Sequence, residues 1–107
     1  MWIFLAAKPL DQELLLTIDL SGVHVREIGG GTYQCGGHSD FDPAVDFDDF
    51  DMDFTSWENH VWPIIANRIP QFDAVKVTHE WAGHNSMNTF DQNAIMGPYS
   101  QIKNFIF

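Results

Sequence analysis

Residues 14–35 read LLLTIDLSGVHVREIGGGTYQC, and this stretch decides the fold class. The apolar run that opens it ends in the turn-forming residues 19–22, Asp-Leu-Ser-Gly, which is a hairpin signature. Apolar and polar residues then alternate, as on a half-buried strand, until three glycines at residues 29–31 turn the chain again. Residues 1–7 are also apolar enough for a strand. We therefore predict a β-meander of three or four strands over residues 1–36.

A helix is predicted after the strands, beginning near Ser56. Residues 55–58, Thr-Ser-Trp-Glu, fit a capping box, in which a hydroxyl and a glutamate each satisfy a free amide at a helix start. Pro63 conflicts with an undisturbed helix, so we expect a kink or an early break, and Pro70 ends the helix. Five apolar side chains at helical spacing form one stripe that would lie on a sheet: Trp57, Val61, Ile64, Ile65 and Ile69.

Strands are predicted again beyond the helix. Residues 74–81 alternate well enough for a strand, and a polar segment follows. Short apolar pieces at residues 94–96 and 105–107 are further predicted strands, separated by the turn-forming Gly97-Pro98. The fold class is therefore α+β, with a mainly antiparallel sheet and one packed helix. Both chain ends are abrupt, without a terminal turn or polar tail, so we expect a piece of a larger protein.

Size and charge restrict the possible functions. The 107 residues make one ordinary domain, and five Lys+Arg against fifteen Asp+Glu give a net charge of -10. This charge repels phosphate backbones and anionic lipid, so nucleic-acid and membrane-surface binding are disfavoured. Residues 1–7 are too few to span a bilayer and lack the basic region of a signal peptide. The single Cys35 excludes an internal disulfide and favours a reducing, intracellular setting.

Seven aspartates crowd residues 40–53, named here the acidic segment, and four hydrophobic residues interleave with them: Phe41, Phe47, Phe50 and Met52. Alternating carboxylates suggest calcium, but an EF-hand loop needs Gly at its sixth position and Glu at its twelfth, and this segment contains no Gly. We interpret it as a hydrated or partner-facing loop with hydrophobic anchors.

His79 and His84 suggest at first the histidine pair of a zinc-protease helix. They are five residues apart instead of four, which separates two side chains on a helix by about 140°. On a strand they would face opposite sides, so we interpret both as ordinary histidines. No nucleophile–base arrangement is indicated, and the glycines at residues 29–31 lack the Gly-x-Gly-x-x-Gly pattern of a phosphate-binding loop.

Residues 81–98 read WAGHNSMNTFDQNAIMGP and are the strongest candidate for function. A predicted strand leads into a loop rich in amide and hydroxyl side chains, and then into another strand. Loops on rigid strands concentrate binding groups, and Gly83 and Gly97 permit close backbone approach to a flat ligand. The alternative interpretation is an ordinary polar crossover.

Three pieces of this loop resemble the Trp-x-Gly, Thr-Pro-Asp and Ile-Gly signature of FAD-dependent oxidoreductases of the D-amino-acid-oxidase and sarcosine-oxidase superfamily: Trp81-Ala82-Gly83, Thr89-Phe90-Asp91 and Ile95-x-Gly97. The mitochondrial FAD-dependent oxidoreductase domain-containing proteins are especially similar, with Asn-Thr-Phe-Asp-Gln-Asn as in residues 88–93 and Gly-Pro as in residues 97–98. Upstream matches occur in the same order: Asp19-x-Ser21-Gly22-Val23, the acidic segment, Val61-Trp62-Pro63 and Arg68-Ile69-Pro70-x-Phe72.

The resemblance implies that residues 1–107 are part of the substrate domain of a flavin-dependent oxidoreductase, with a mitochondrial location. In the complete protein it implies hydride transfer from an amine or amino-acid-like substrate to FAD. The implied partner of this chain is the remainder of the same protein. The residues implied to approach the cofactor or brace its loop are Trp81, Gly83, His84, Asn85, Thr89, Asp91 and Gly97. None is assigned as an acid or base.

Departures from the family pattern narrow these implications. In sarcosine-oxidase relatives a Cys near the position of His84 holds the flavin covalently, so its absence favours non-covalent binding. The carboxylate-binding Arg of amino-acid oxidases has no counterpart in residues 84–88, which leaves the substrate open. The Gly-x-Gly-x-x-Gly that binds the FAD pyrophosphate and a Ser-Gly-His-Gly region are both missing, so this chain alone should not hold FAD.

A second hypothesis belongs to another class of function. The chain would be a non-catalytic interaction module, in which the acidic segment binds a basic protein partner during assembly of a complex. Flavin bound by the full-length protein would favour the enzyme over this module.

Overall fold

The computed structural model describes residues 1–37, 43–84 and 88–106. Its strands are β1 (Trp2–Ala6), β2 (Thr17–Ile18), β3 (His24–Gly29), β4 (Thr32–Gly36) and β5 (Val75–Glu80). The helical part consists of a π-helical turn (Trp57–Val61), the α-helix α1 (Trp62–Arg68) and a 3₁₀ turn (Pro70–Asp73).

The five strands form one sheet in the order β2-β3-β4-β1-β5, and every neighbouring pair is antiparallel. The predicted α+β class with a mainly antiparallel sheet is therefore confirmed. Strands β2, β3 and β4 follow one another as hairpins, as predicted. The meander over residues 1–36 is wrong for β1, which lies beyond β4 instead of beside β2. Because β1 is apolar along its whole length, a central place between β4 and β5 buries it better than an edge would.

Both predicted turns between these strands are confirmed. Gly29, Gly30 and Gly31 have φ values of 108°, 62° and 72°, a left-handed region that strains residues with a Cβ. In the β2–β3 turn, the carboxylate of Asp19 accepts a hydrogen bond of 3.0 Å from the backbone N–H of Ser21. Local sequence therefore determines where these hairpins turn.

An aromatic cluster joins the sheet to the helical segment. The ring of Phe4, on β1, stacks on Tyr33 at a centroid distance of 5.5 Å and meets Phe72 edge-on at 5.1 Å. Tyr33 and Phe72 are themselves 4.7 Å apart, and Trp57 lies 5.9 Å from Phe4. The buried hydrophobic core as a whole comprises Trp2, Phe4, Val23, Val25, Tyr33, Cys35, Val61, Ile65 and Phe72.

Cys35 is part of this core and is fully buried. Burial raises the pKa of its thiol to about 12, because the apolar surroundings disfavour the charged thiolate. The thiolate is the form that attacks electrophiles and binds metals. Cys35 therefore serves as a packing group at neutral pH.

The helical segment begins near Ser56, as predicted, but it is capped differently. Ser56 already has helical dihedral angles (φ -60°, ψ -32°) and makes no side-chain capping bond, so the capping box at residues 55–58 is wrong. Asp53 takes the capping place: its carboxylate accepts the backbone N–H of Thr55 at 3.0 Å and both hydroxyls, of Thr55 and Ser56, at 2.6 Å. Because a charged carboxylate is a stronger acceptor than a hydroxyl, the Thr55 and Ser56 donors bond to Asp53.

The two prolines of the helical segment disturb and end the helix close to the predicted positions. Pro63 lies within a continuous helical run, two residues beyond the end of the π-helical turn, where the N–H of Trp62 bonds to the carbonyl of Trp57; this local widening is the disturbance expected from the proline. Ile69 is extended ahead of Pro70, so the helix ends as predicted. The apolar stripe is also confirmed, because Val61 and Ile65 are buried and its other members pack against the core.

The last part of the chain is less regular than predicted. Strand β5 confirms the strand at residues 74–81. Residues 94–96 form no strand, and Ile95 and Met96 are 65% and 81% exposed. A single bridge between Pro98 and Ile106 stands where the last strand was predicted, and Phe107 lies outside the described residues. An apolar run needs a neighbouring strand to pair with, and the described part of the chain places none beside residues 94–96.

Replacing Phe72 by Ala tests the aromatic cluster. The substitution leaves a cavity between Phe4 and Tyr33, so we expect the free energy of unfolding to fall by about 3–5 kcal/mol. Phe90→Ala is the matched control, because Phe90 is 93% exposed, and it should change stability by less than about 0.5 kcal/mol. Urea unfolding followed by circular dichroism measures both, and equal losses would contradict the packing described above.

The pH dependence of stability tests the Asp53 cap. Hydrogen bonds from Ser56 and then Thr55 lower the pKa of Asp53 below its ordinary 3.8. The ionised carboxylate of Asp53 therefore stabilises the folded state fully above pH 3.8, its pKa in the unfolded chain. This stabilisation is lost as the pH falls through the lowered pKa of the folded state. We expect Asp53→Ala to lower the unfolding temperature at pH 6, and we expect this difference to shrink as the pH falls below 3.8. A difference that is the same at every pH would show that the charge of Asp53 does not matter.

Candidate functional site

Residues 81–98 leave the sheet directly from β5, which pairs with the central strand β1. The register Trp2↔Glu80 holds the end of β5, and the backbone N–H of Trp81 donates to the carbonyl of Met1 at 3.0 Å. The indole of Trp81 is 41% exposed. The loop therefore starts from a fixed point with an accessible aromatic ring.

The backbone around the two glycines of the loop is open. A Cβ placed on Gly83 or on Gly97 would meet no heavy atom within 4 Å. Neither glycine has a positive φ, so neither is required by backbone conformation. The space on these residues is available to an approaching ligand. Asn85, which the resemblance places with them, lies outside the described residues.

Asp91 braces the second half of the loop. Its carboxylate accepts hydrogen bonds from the side-chain amide of Asn88 at 2.9 Å and from the backbone N–H of Asn93 at 3.1 Å. The side-chain oxygen of Asn88 in turn accepts the N–H of Phe90 at 3.0 Å. Thr89 is exposed on the same turn. Asp91 therefore holds the shape of this turn through its hydrogen bonds.

His84 is held by the acidic segment, a contact that the sequence alone did not indicate. Its ring stacks on Phe50 with a centroid distance of 4.4 Å and an interplanar angle of 6°. Its Nε2 lies 2.6 Å from the backbone carbonyl oxygen of Asp49. The one available signal was the set of hydrophobic residues among the aspartates, interpreted as anchors.

Those anchors behave differently from one another. Met52 packs against the core, and Phe50 packs on His84. Phe47 is 86% exposed, so its interpretation as an anchor is wrong. Phe41 lies outside the described residues. A ring between aspartates can bury itself only where the backbone turns it toward a neighbour, and sequence pattern does not specify that direction.

The second half of the loop and the residues that follow it expose several large hydrophobic side chains. They are Phe90 at 93%, Ile95 at 65%, Met96 at 81%, Ile102 at 56% and Ile106 at 77%. Exposed apolar groups in such number mark a surface that contacts a ligand or another protein segment. The loop therefore has the character of one side of an interface.

The residues present fit a flat, mostly uncharged ring system better than a metal ion. Trp81 offers an aromatic face, and the open glycines offer backbone groups to such a ring. His79 lies on β5 beside Thr78, 3.2 Å from its hydroxyl, and is not joined to His84. Within residues 1–37, 43–84 and 88–106, no group of three or more His, Cys, Asp and Glu side chains could hold a metal ion. Over the same ranges, no helix has the length and apolar character needed to cross a membrane.

Sequence comparison identifies relatives along most of this chain. It is 36% identical over 93 residues to FAD-dependent oxidoreductase domain-containing protein 1 of Xenopus laevis, covering 86% of this chain and 19% of the relative. The protein of that name from Mus musculus is 36% identical over 96 residues, or 89% of this chain. The Drosophila melanogaster homolog is 32% identical over 90 residues. The chain thus spans about a fifth of the length of these relatives.

Two other comparisons were without result. No family model matches the chain. No solved structure matches it significantly either. The relatives named above therefore carry the family assignment.

Proposed function

We propose that this chain, which belongs to the family of FAD-dependent oxidoreductase domain-containing proteins, is part of an enzyme that oxidises an amine or amino-acid-like substrate with FAD. The single observation that supports the proposal most is the loop at residues 81–98. It combines the family-like sequence with an exposed aromatic ring and an open backbone at the end of a strand in the sheet. FAD would be bound without a covalent link.

The loop would form one wall of the flavin site. Trp81 would lie against the isoalloxazine ring, and the open backbone of Gly83 and Gly97 would admit the ring edge. Thr89 would offer a hydroxyl, while Asp91 keeps the turn in shape through its hydrogen bonds. These residues orient the reactants and exclude water from one side.

Flavin, when bound, supplies the chemistry by accepting a hydride from the substrate carbon. A neutral amine held in the correct orientation is enough for such a transfer, so the lack of an assigned base among these residues is compatible with the proposal. The substrate is specified only by its chemical class, an amine or amino-acid-like molecule.

The other walls would come from the rest of a longer protein. The relatives are about five times as long as the region matched here, and no pyrophosphate-binding glycine pattern occurs in residues 1–107. In this proposal, residues 1–107 form part of the substrate domain, and the exposed side chains of residues 90–106 face the remaining chain or the ligand.

Gly83→Trp in the full-length protein tests the proposed wall. Because the site of Gly83 is open and its φ is not left-handed, the substitution should leave the fold intact and block only an approaching ligand. We expect the variant to bind FAD at least about tenfold more weakly, so that the purified variant contains less flavin than the wild type. Leu20→Trp places the same indole on a fully exposed turn and should retain the flavin. Equal flavin content in both variants would reject this wall, and a colourless wild-type protein would reject the function.

Acid precipitation of the flavin-loaded protein tests the type of linkage. Within residues 1–107 the one cysteine, Cys35, is buried with a raised pKa and is unsuited to flavin attachment. We expect all of the yellow colour to appear in the supernatant after denaturation in acid. A yellow pellet that survives washing would contradict non-covalent binding.

A further inference from the structure

One face of the sheet is left uncovered by the helices and strands of the described chain. The helical segment packs on the face that carries the buried side chains of Trp2, Tyr33 and Cys35. Because side chains alternate along a strand, Arg26 and Gln34, which pair with each other across β3 and β4, lie on the opposite face. Arg26 is exposed and Gln34 is half-buried. The proposed flavin wall uses none of this surface.

An open cavity of about 230 Å³ lies on this uncovered face. Its lining residues come from the chain start, the segment before β2, and strands β3 and β4: Met1, Leu16, His24, Arg26 and Gln34. Pockets for drug-sized ligands measure roughly 300–1,000 Å³, so this cavity suits a smaller molecule. Met1 and Leu16 make part of its wall apolar, and Arg26 gives it a permanent positive charge.

Gly36 allows two of these walls to come together. It is buried, and it pairs with His24 across β3 and β4. A Cβ on Gly36 would collide with Sδ of Met1 and would lie 3.1 Å from two atoms of the His24 ring. The side chains of Met1 and His24 therefore approach each other above a strand position that has no side chain. A larger residue at this position would displace the wall of the cavity.

Gln34 orients the guanidinium of Arg26. The Nε and Nη2 of Arg26 both donate to Oε1 of Gln34, at 3.0 and 2.8 Å. These two bonds occupy one edge of the planar guanidinium, and the Nη1–Nη2 edge has no partner in the described part of the chain. That edge carries two parallel N–H groups, the geometry that a carboxylate accepts in a bidentate pair.

The partner of Arg26 is neutral, although the chain has fifteen Asp+Glu and only five Lys+Arg. No carboxylate pairs with Arg26 among the residues that the structure describes. A glutamine orients the guanidinium without neutralising it, so the positive charge remains available to a ligand. A singly charged anion is favoured, because the net charge of -10 opposes binding of a multiply charged phosphate.

We propose that Arg26, oriented by Gln34, binds the carboxylate of a small substrate, and that Met1 and Leu16 contact an apolar group of the same molecule. This inference rests on the proposed function and narrows its substrate class to amino-acid-like molecules that carry a free carboxylate and an apolar group. An amine without a carboxylate is excluded as the preferred substrate. Arg26 is thus a specificity-determining residue, and Gln34 is a positioning residue.

The position of the cavity agrees with the loop at residues 81–98. Met1 lines the cavity, and its carbonyl accepts the backbone N–H of Trp81 at 3.0 Å. The cavity and the loop therefore share one neighbour. A molecule whose carboxylate is held at Arg26 extends along the cavity toward Met1, and so toward the proposed flavin wall.

Phenylacetate and its neutral isostere phenylacetamide are the probes for the full-length protein, because they differ only at the group proposed to meet Arg26. Arg26→Gln removes the charge, and Arg26→Lys keeps the charge without the planar fork. Gln34→Ala removes the orienting acceptor. Lys76→Gln is the matched control: Lys76 lies on β5 between Val75 and Val77, which pack against the core, so it removes one positive charge from the same uncovered face.

The first measurement is the dissociation constant of each probe, determined by titration calorimetry. Arg26→Gln should bind phenylacetate about tenfold to hundredfold more weakly, as expected for a lost pair of charge-assisted hydrogen bonds. Arg26→Lys should recover only part of this loss, and Gln34→Ala should weaken binding about threefold to tenfold. Lys76→Gln should bind phenylacetate like the wild type. Phenylacetamide should bind all of these proteins equally weakly.

The second measurement is the visible flavin spectrum of the FAD-loaded protein, because a substrate site must lie beside the flavin ring. Phenylacetate should shift the wild-type spectrum with the same dissociation constant as in calorimetry. Arg26→Gln should need at least about tenfold more phenylacetate for the same shift. Binding of phenylacetate through Arg26 without a spectral change would overturn the substrate role while the proposed function remains.

The other outcomes are distinct. Equal phenylacetate binding by the wild type, Arg26→Gln and Lys76→Gln, or no binding by the wild type, would overturn the carboxylate site and leave the proposed function untouched. An acidic side chain of the remaining chain seated on Arg26 would produce the second of these results. A full-length wild type that binds no FAD would overturn the proposed function and the substrate role, whereas calorimetry still decides the carboxylate site.

Folding of the variants is verified separately. Arg26 is exposed, so its replacement removes little packing. An unfolding temperature equal to that of Lys76→Gln shows that each variant is folded, and it assigns any loss of phenylacetate binding to the site.

Discussion

The packing of Phe4 is the interaction on which the rest of the structure depends. This ring on the central strand β1 contacts Tyr33 of β4, Phe72 beyond α1 and Trp57 of the π-helical turn. Each aromatic pair contributes about 0.5–1.5 kcal/mol beyond the area that it buries, so three pairs at one residue make a large share of the stability of a chain this small. The sheet and the helix are held together at this point.

A central β1 also determines where the candidate site lies. Because β1 has β4 on one side, its other side is free to pair with β5, and the end of β5 is where residues 81–98 begin. That pairing fixes the backbone position of Trp81. The irregular loop can therefore carry a binding wall without a strand of its own, since the sheet supplies the rigidity.

The acidic segment is best understood through its backbone and its rings. Its charge alone suggested a hydrated surface or a basic partner, yet Asp49 contributes a carbonyl oxygen and Phe50 an aromatic face to His84. Asp53 closes the segment by capping the helix that packs on Phe4. The last five residues of the segment, 49–53, thus contact the candidate site through His84 and cap the helical segment.

The sequence by itself determined the features that are local: the turns at residues 19–22 and 29–31, the apolar stripe, the end of the helix at Pro70 and the family-like loop at residues 81–98. Turn chemistry and hydrophobic periodicity act within a few residues, so their effects can be predicted from the sequence alone. Only the tertiary structure decided that β1 lies beyond β4, that residues 94–96 form no strand and that Phe50 meets His84. Each of these depends on which distant segment is available as a neighbour, and packing settles that choice across the whole chain.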